Sequence, residues 1–225
     1  MTCMARERTQ AILDKGAEAH VVKREFKALL AAIPPTTLQP ACYPWIPVPP
    51  AVRLIKLNME IPPAVIDIEA SGFGRGSYPI EVGFVLPDGT NYCSLICPAA
   101  HWTHWDPAAE QLHHITPQVL VKHGKSPAAV ASALNSYLRG HVVYSDGWMH
   151  DYSWLGLLFD EAGISPAFKL ENVRMIFNED EVAHWHPTRD SVFAEMHQAR
   201  HRASTDALAI QTTVMRIKCP ATNSR

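Results

Sequence analysis

The stretch Ala-Val-Ile-Asp-Ile-Glu-Ala-Ser-Gly at 64–72 most constrains the fold, because it sets Asp67 and Glu69 in an apolar run that reads as a buried strand. Along a strand, residues i and i+2 face the same way, about 6.6 Å apart. The two carboxylates therefore share a face with Val65, while Ile66 and Ile68 point the other way into a core. Two like charges at the end of an apolar strand cost stability unless something positive sits between them. A divalent cation is the simplest candidate.

Around this strand the pattern predicts an orderly chain. Strands are expected at 64–69, 79–86 and 91–97, the last two joined by the turn Pro87-Asp88-Gly89-Thr90, which makes an antiparallel meander. Asp106-Pro107, Thr116-Pro117 and Ser126-Pro127 each place an N-cap residue before a proline at the first helical position. Gly124 and Gly140 sit where helices should stop. A buried strand at 141–145, a helix from about 151 to 162 ended by Gly163, a strand at 172–177 and two C-terminal helices complete the order. Strands first, then alternating helices and strands, indicate an α/β fold with a mixed sheet and helices on its faces.

Upstream, Ile12, Val22, Phe26, Leu29 and Leu30 stand among charged residues, which predicts an amphipathic helix within 1–33. Seven prolines between 34 and 50 make a stiff connector, taken as 34–61. The main domain is expected at 62–218, with a tail at 219–225. A net charge of −2 and a pI near 6.6 exclude a global field for long nucleic acid, so any such contact must be local. Five cysteines, at 3, 42, 93, 97 and 219, occur in no CxxC spacing and read as thiols of a reducing cytoplasm. The charged N-terminus argues against a signal or transit sequence, and no run of eighteen apolar residues offers a membrane span. The expected location is cytoplasmic.

Further acidic residues fall at element ends. Asp151 opens the helix after the strand 141–145, and Asp206 lies near the start of the last helix, five residues after His201. With these five positions in place, the chain resembles the DnaQ-like 3′–5′ exonucleases of the DEDDh group, a branch of the ribonuclease H-like superfamily. The first motif of that group is matched by Asp67, Glu69, Ser71, Gly72 and Phe73, the second by Asp151, and the third by His201 and Asp206. The agreement in order, spacing and context covers roughly residues 62–217. Asp-x-Glu alone is a weak signal, since such a pair more often forms a strand-end salt bridge than a metal site; the five positions together carry the resemblance.

Two departures stand out. Ser145, Asp146 and Gly147 replace the His-Asn-Ala common before the second Asp, closer to the oligoribonuclease variant with Asp146 at an Asn-like position. In Leu112-His113-His114-Ile115-Thr116, His114 occupies the family's glycine and is expected to crowd the substrate cleft.

The resemblance implies a ribonuclease H-like five-stranded mixed sheet and metal-dependent hydrolysis of single-stranded DNA or RNA from 3′ ends to nucleoside 5′-monophosphates. Two Mg²⁺ or Mn²⁺ ions suit hard carboxylate ligands and stabilise both the attacking and the leaving oxygen. Asp67 would bridge them, Glu69 and Asp206 would complete one, and Asp151 would hold the other directly or through water. His201, neutral near pH 7, would be the general base. The resemblance also implies that Phe73 stacks on terminal bases, that the backbone near Ala70 and Ser71 meets the 3′-hydroxyl, and that His113 lines the substrate site. Arg75, Arg200 and Arg202 are candidates for phosphate contacts. The alternative is a non-catalytic nucleic-acid-binding or interaction module on the same fold. A homodimer, or a protein partner held by the N-terminal helix, remains open, as does the choice between DNA and RNA.

Other signals lead elsewhere and are weaker. Gly72-Phe73-Gly74-Arg75-Gly76 lacks the following helix that a dinucleotide loop needs. Gly124-Lys125-Ser126 has Val119 where a Walker loop has its first glycine. Twelve histidines, including His101, His104, His113 and His114, suggest a rival zinc site but show no zinc-ligand spacing. No Gly-x-Ser-x-Gly elbow occurs.

Overall fold

The computed structural model describes residues 61–196 and 201–220. The expected N-terminal helix, most of the Pro-rich connector, Arg200 and the end of the tail lie outside the described residues.

Strand β1 (Ala64–Ala70) is central in the sheet order β3-β2-β1-β4-β5. It pairs antiparallel with β2 (Pro79–Val85), which pairs antiparallel with β3 (Asn91–Leu95). On its other side it runs parallel to β4 (Val142–Ser145), which runs parallel to β5 (Lys169–Asn172). The sheet is therefore mixed, and β1 is the strand at which its sense changes.

Both faces of β1 are covered, which explains its nearly unbroken apolar sequence. On one face Ile66 and Ile68 pack with Val82 and Phe84 against Val130, Leu134 and Leu138 of one helix and Leu155, Leu158 and Phe159 of another. On the opposite face Val65 and Val85 meet Trp185, Ala207, Ile210 and Val214. Asp67 and Glu69 belong to this second face, as their alternation with the isoleucines requires.

The helices begin as their caps dictate. In α1 (Pro107–His113) the Asp106 side chain accepts from the Ala108 N–H; in α2 (Pro117–His123) Thr116 accepts from Val119; in α3 (Pro127–Leu138) Ser126 accepts from Ala129. Gly124 does close α2, but with an extended backbone. Its missing Cβ lets the Leu120 carbonyl and the Cys97 amide approach, so that Ile96 and Lys125 can form a parallel bridge. Gly140, by contrast, has φ 77°, the left-handed conformation that glycine adopts freely.

Three expectations need correction. Helix α4 (Trp148–Ala162) starts one turn earlier than position 151, at Gly147, which offers no side-chain cap to announce it. Asp151 thus lies within the first turn, where the helix dipole favours a carboxylate. The strand expected at 172–177 is instead β5 at Lys169–Asn172. The Asn172 side chain accepts from the Arg174 N–H and starts a 3₁₀ turn at Val173–Ile176, which ends the pairing with β4. Among the described residues the C-terminal region holds three helices: a single-turn α5 (Glu179–Val182) precedes α6 (Trp185–Met196) and α7 (Ala203–Lys218). Asn178 and Glu181 form a capping box that stabilises so short a helix.

Candidate active site

The carboxyl ends of the adjacent parallel strands β1 and β4 open into one cleft, whose lining includes Asp67, Glu69, Ala70, Phe73, His113, Asp151 and His201. The acidic groups arrive on three supports. Asp67 and Glu69 come from β1, Asp151 from the first turn of α4, and Asp206 from the first turn of α7. The buried Asp151 carboxylate accepts a short hydrogen bond from the Ser145 hydroxyl at the end of β4. Its neighbour Asp146 is held by Arg189 of α6 at 2.9 Å.

His201 stands just before α7 with φ 62°, a left-handed conformation rare for a residue with a side chain. Its backbone N–H donates to Asp206 at 3.2 Å. Ligand atoms of Glu69, His201 and Asp206 all come within 4.8 Å of one another, the one such convergence of three or more His, Cys, Asp or Glu side chains among the described residues. Among the described residues, His101, His104, His113 and His114 form no comparable group. Cys93, Cys97 and Cys219 form no disulfide among the described residues.

The electrostatics follow from this crowding. Burial, then the charges of Asp151, Glu69 and Asp206, raise Asp67 well above the usual carboxylate range. Burial, followed by Asp206 and Glu81, pushes Glu69 up to about 8. Burial also raises Asp151, although the Ser145 hydrogen bond opposes it. Four carboxylates offering oxygen donors, with Asp67, Glu69 and Asp151 raised in proton affinity, fit a hard divalent cation, which would replace protons as the compensating charge.

One wall of the cleft is aromatic. Phe73 is 63% exposed, and its ring meets His150 edge-on at 5.2 Å and Trp154 at 5.9 Å. His150 stacks on Trp154, whose Nε1 donates to Ser77 at 3.0 Å and ties α4 to the loop after β1. This platform extends beyond Phe73, and its only sequence signal is the i, i+4 spacing of His150 and Trp154 on α4. His113 is buried. Its Nδ1 accepts from the Ile115 N–H, which places the proton of the neutral ring on Nε2, and that atom has no partner among the described residues. Burial holds the His113 imidazole below its usual range and so favours the neutral form.

Ser71 does not line the cleft. Its hydroxyl accepts from the Tyr78 N–H and meets His104, its N–H donates to Tyr78, and its carbonyl accepts from Asp106. Ala70 alone of the pair reaches the wall. Nor does His114 crowd the cleft: it closes α1 in the left-handed conformation, φ 56°, and borders a separate shallow groove with Trp105, Glu110 and Thr116. The Arg202 guanidinium pairs with Glu81 through Nε and Nη2. No described helix is long and apolar enough to cross a membrane.

The five-stranded mixed sheet with helices on its faces has the ribonuclease H-like architecture expected above. Among solved structures, exonuclease I is similar in fold. The E. coli protein in its zinc-bound complex with single-stranded DNA matches with a TM-score of 0.56 at 16% identity, over 70% of this chain and 41% of that one. Exonuclease I from Methylocaldum szegediense matches with a TM-score of 0.53 at 15% identity, over 70% and 41%. This chain therefore spans well under half of their length, and at such identity the likeness is one of fold. No protein-family model and no curated protein matches the sequence.

Proposed function

We propose that the protein is a metal-dependent 3′–5′ exonuclease acting on single-stranded nucleic acid and releasing nucleoside 5′-monophosphates. The observation that carries this reading is the meeting of Glu69, His201 and Asp206 within 4.8 Å, where Glu69 and His201 line the same cleft as Asp67 and Asp151. The fold shared with exonuclease I, solved with single-stranded DNA, adds support.

Asp67, Glu69, Asp151 and Asp206 would hold two Mg²⁺ or Mn²⁺ ions, which supply charge to the attacking and leaving oxygens. The chain itself does the rest. The neutral imidazole of His201 accepts the proton of the attacking water. Phe73, backed by His150 and Trp154, offers a stacking surface that any base can use. The Nε2–H of His113 donates to an acceptor on the terminal nucleotide. Ala70 brings backbone against the 3′ end.

The test is incubation with 5′-labelled single-stranded DNA and RNA of equal sequence, in Mg²⁺, Mn²⁺ or EDTA, beside a folded His201→Ala variant. A metal-dependent ladder shortening from the 3′ end is expected, with kcat lowered by roughly 10²–10⁴-fold in the variant. Binding without cleavage of either strand in any metal would establish the non-catalytic module instead.

A further inference from the structure

His201 and Asp206 lie far along the chain from Asp67 and Glu69, so some contact must set the spacing between the two pairs. The β1–β2 register puts Glu81 opposite Glu69 and Gly83 opposite Asp67. All four residues thus share the sheet face that carries α7. Glu81 is fully buried, where a lone carboxylate would be costly. Arg202 donates to it from Nε at 3.1 and 3.2 Å and from Nη2 at 2.6 Å, and the Ala203 N–H donates at 3.0 Å.

The contact with Ala203 is a helix cap delivered across the sheet. Arg202, the N-cap residue of α7, makes no side-chain cap of its own, and Glu81 receives the first orphan N–H in its place. Two residues along β2, Gly83 supplies the clearance. A Cβ there would overlap the backbone of Ala203 and Ser204. Residues 202, 203 and 204 are therefore gripped in succession, immediately after the left-handed turn at His201.

We propose that Glu81 and Gly83 form a seat on β2 that indexes the start of α7 to β1, and that Glu81 is a positioning residue for His201 and Asp206. The inference rests on the nuclease reading above. His201 adjoins Arg202, and Asp206 follows within the first turn of α7, so a displacement of this helix start moves both side chains together. A bidentate guanidinium–carboxylate pair fixes orientation as well as distance, which a point charge or an apolar contact does not.

The experiment compares Glu81→Gln, Arg202→Gln and Gly83→Ala with the wild type and with Gly156→Ala, a matched control whose added Cβ meets open space on α4. Kinetics on 5′-labelled single-stranded DNA are read beside calorimetric Mn²⁺ affinity without substrate and thermal unfolding. The seat predicts kcat lowered about a hundredfold in each folded variant, the scale of a misplaced catalytic group. KM should be unchanged, because Phe73 and His113 are untouched, and Mn²⁺ affinity should fall. The Glu81→Gln/Arg202→Gln double variant should be no worse than either single, and Gly156→Ala should match the wild type. Should Glu81→Gln fail to fold, Arg202→Gln decides, since that side chain is 47% exposed. A folded Arg202→Gln or Gly83→Ala protein with wild-type kcat and Mn²⁺ affinity overturns the seat. An inactive wild type would instead remove the nuclease reading, and the Mn²⁺ series would still report on the seat.

Discussion

Asp67 is held where its charge is least welcome: buried on a central strand, facing Glu69, Asp151 and Asp206. Such a position is maintained against stability, so relieving it should strengthen the metal-free fold. Replacing Asp67 with Asn keeps the shape and removes the charge. The expected outcome is about 1 kcal/mol of added stability in EDTA by urea unfolding, with kcat lowered by at least about 10²–10³-fold. A variant that is both less stable and fully active would contradict this account. At this scale the candidate carboxylates could be picked out in the sequence because Asp67 and Glu69 interrupt an apolar strand while Asp151 and Asp206 fall in the first turns of helices. The platform was only half legible. Phe73 belongs to the first motif, whereas His150 and Trp154 gain their meaning from where α4 lies against the loop after β1. Ser71 shows the converse, a motif residue whose polar groups turn inward to hold that loop.

Among the elements, caps were the readable part. Asp106, Thr116 and Ser126, each before a proline, announce α1, α2 and α3 through local chemistry that needs no tertiary contact. What failed was non-local. Strand β5 is four residues at a sheet edge with no fully buried side chain, so it carries neither an apolar run nor a clean alternation. The true cap of α7 lies across the sheet on Glu81, beyond the reach of any local pattern. Gly124 reads as a helix stop, but its stronger constraint is the pinch between the Leu120 carbonyl and the Cys97 amide. Gly124→Ala should therefore cost about 1–3 kcal/mol, the usual cost of overpacking. Urea unfolding would measure this; a change within error of zero would mean that the bridge between Ile96 and Lys125 yields easily.

For the whole molecule the acidic cleft couples stability to pH and to cations. Glu69 titrates near 8 in the folded protein against an ordinary value of 4.5. Between these values the folded state keeps a proton that the unfolded state has released, so stability falls as pH rises through this window, and the loss is complete above about 8. A bound cation replaces that proton, and its benefit should grow with pH. At a hundredfold excess over Kd, Mn²⁺ is expected to add about 2.7 kcal/mol. For a domain of this size that is a melting shift of roughly 5–10 °C. At fixed Mn²⁺, melts at about pH 5.5 and about pH 8.5 should show the larger shift at the higher value. Equal shifts would detach the cation from these carboxylates. The placement of α7 also has a consequence for timing. The helix that brings Asp206 lies on β1 and β2, strands made much earlier in synthesis. On the proposed reading, a growing chain displays its acidic strand long before it can cut anything, and becomes a nuclease only when α7 docks.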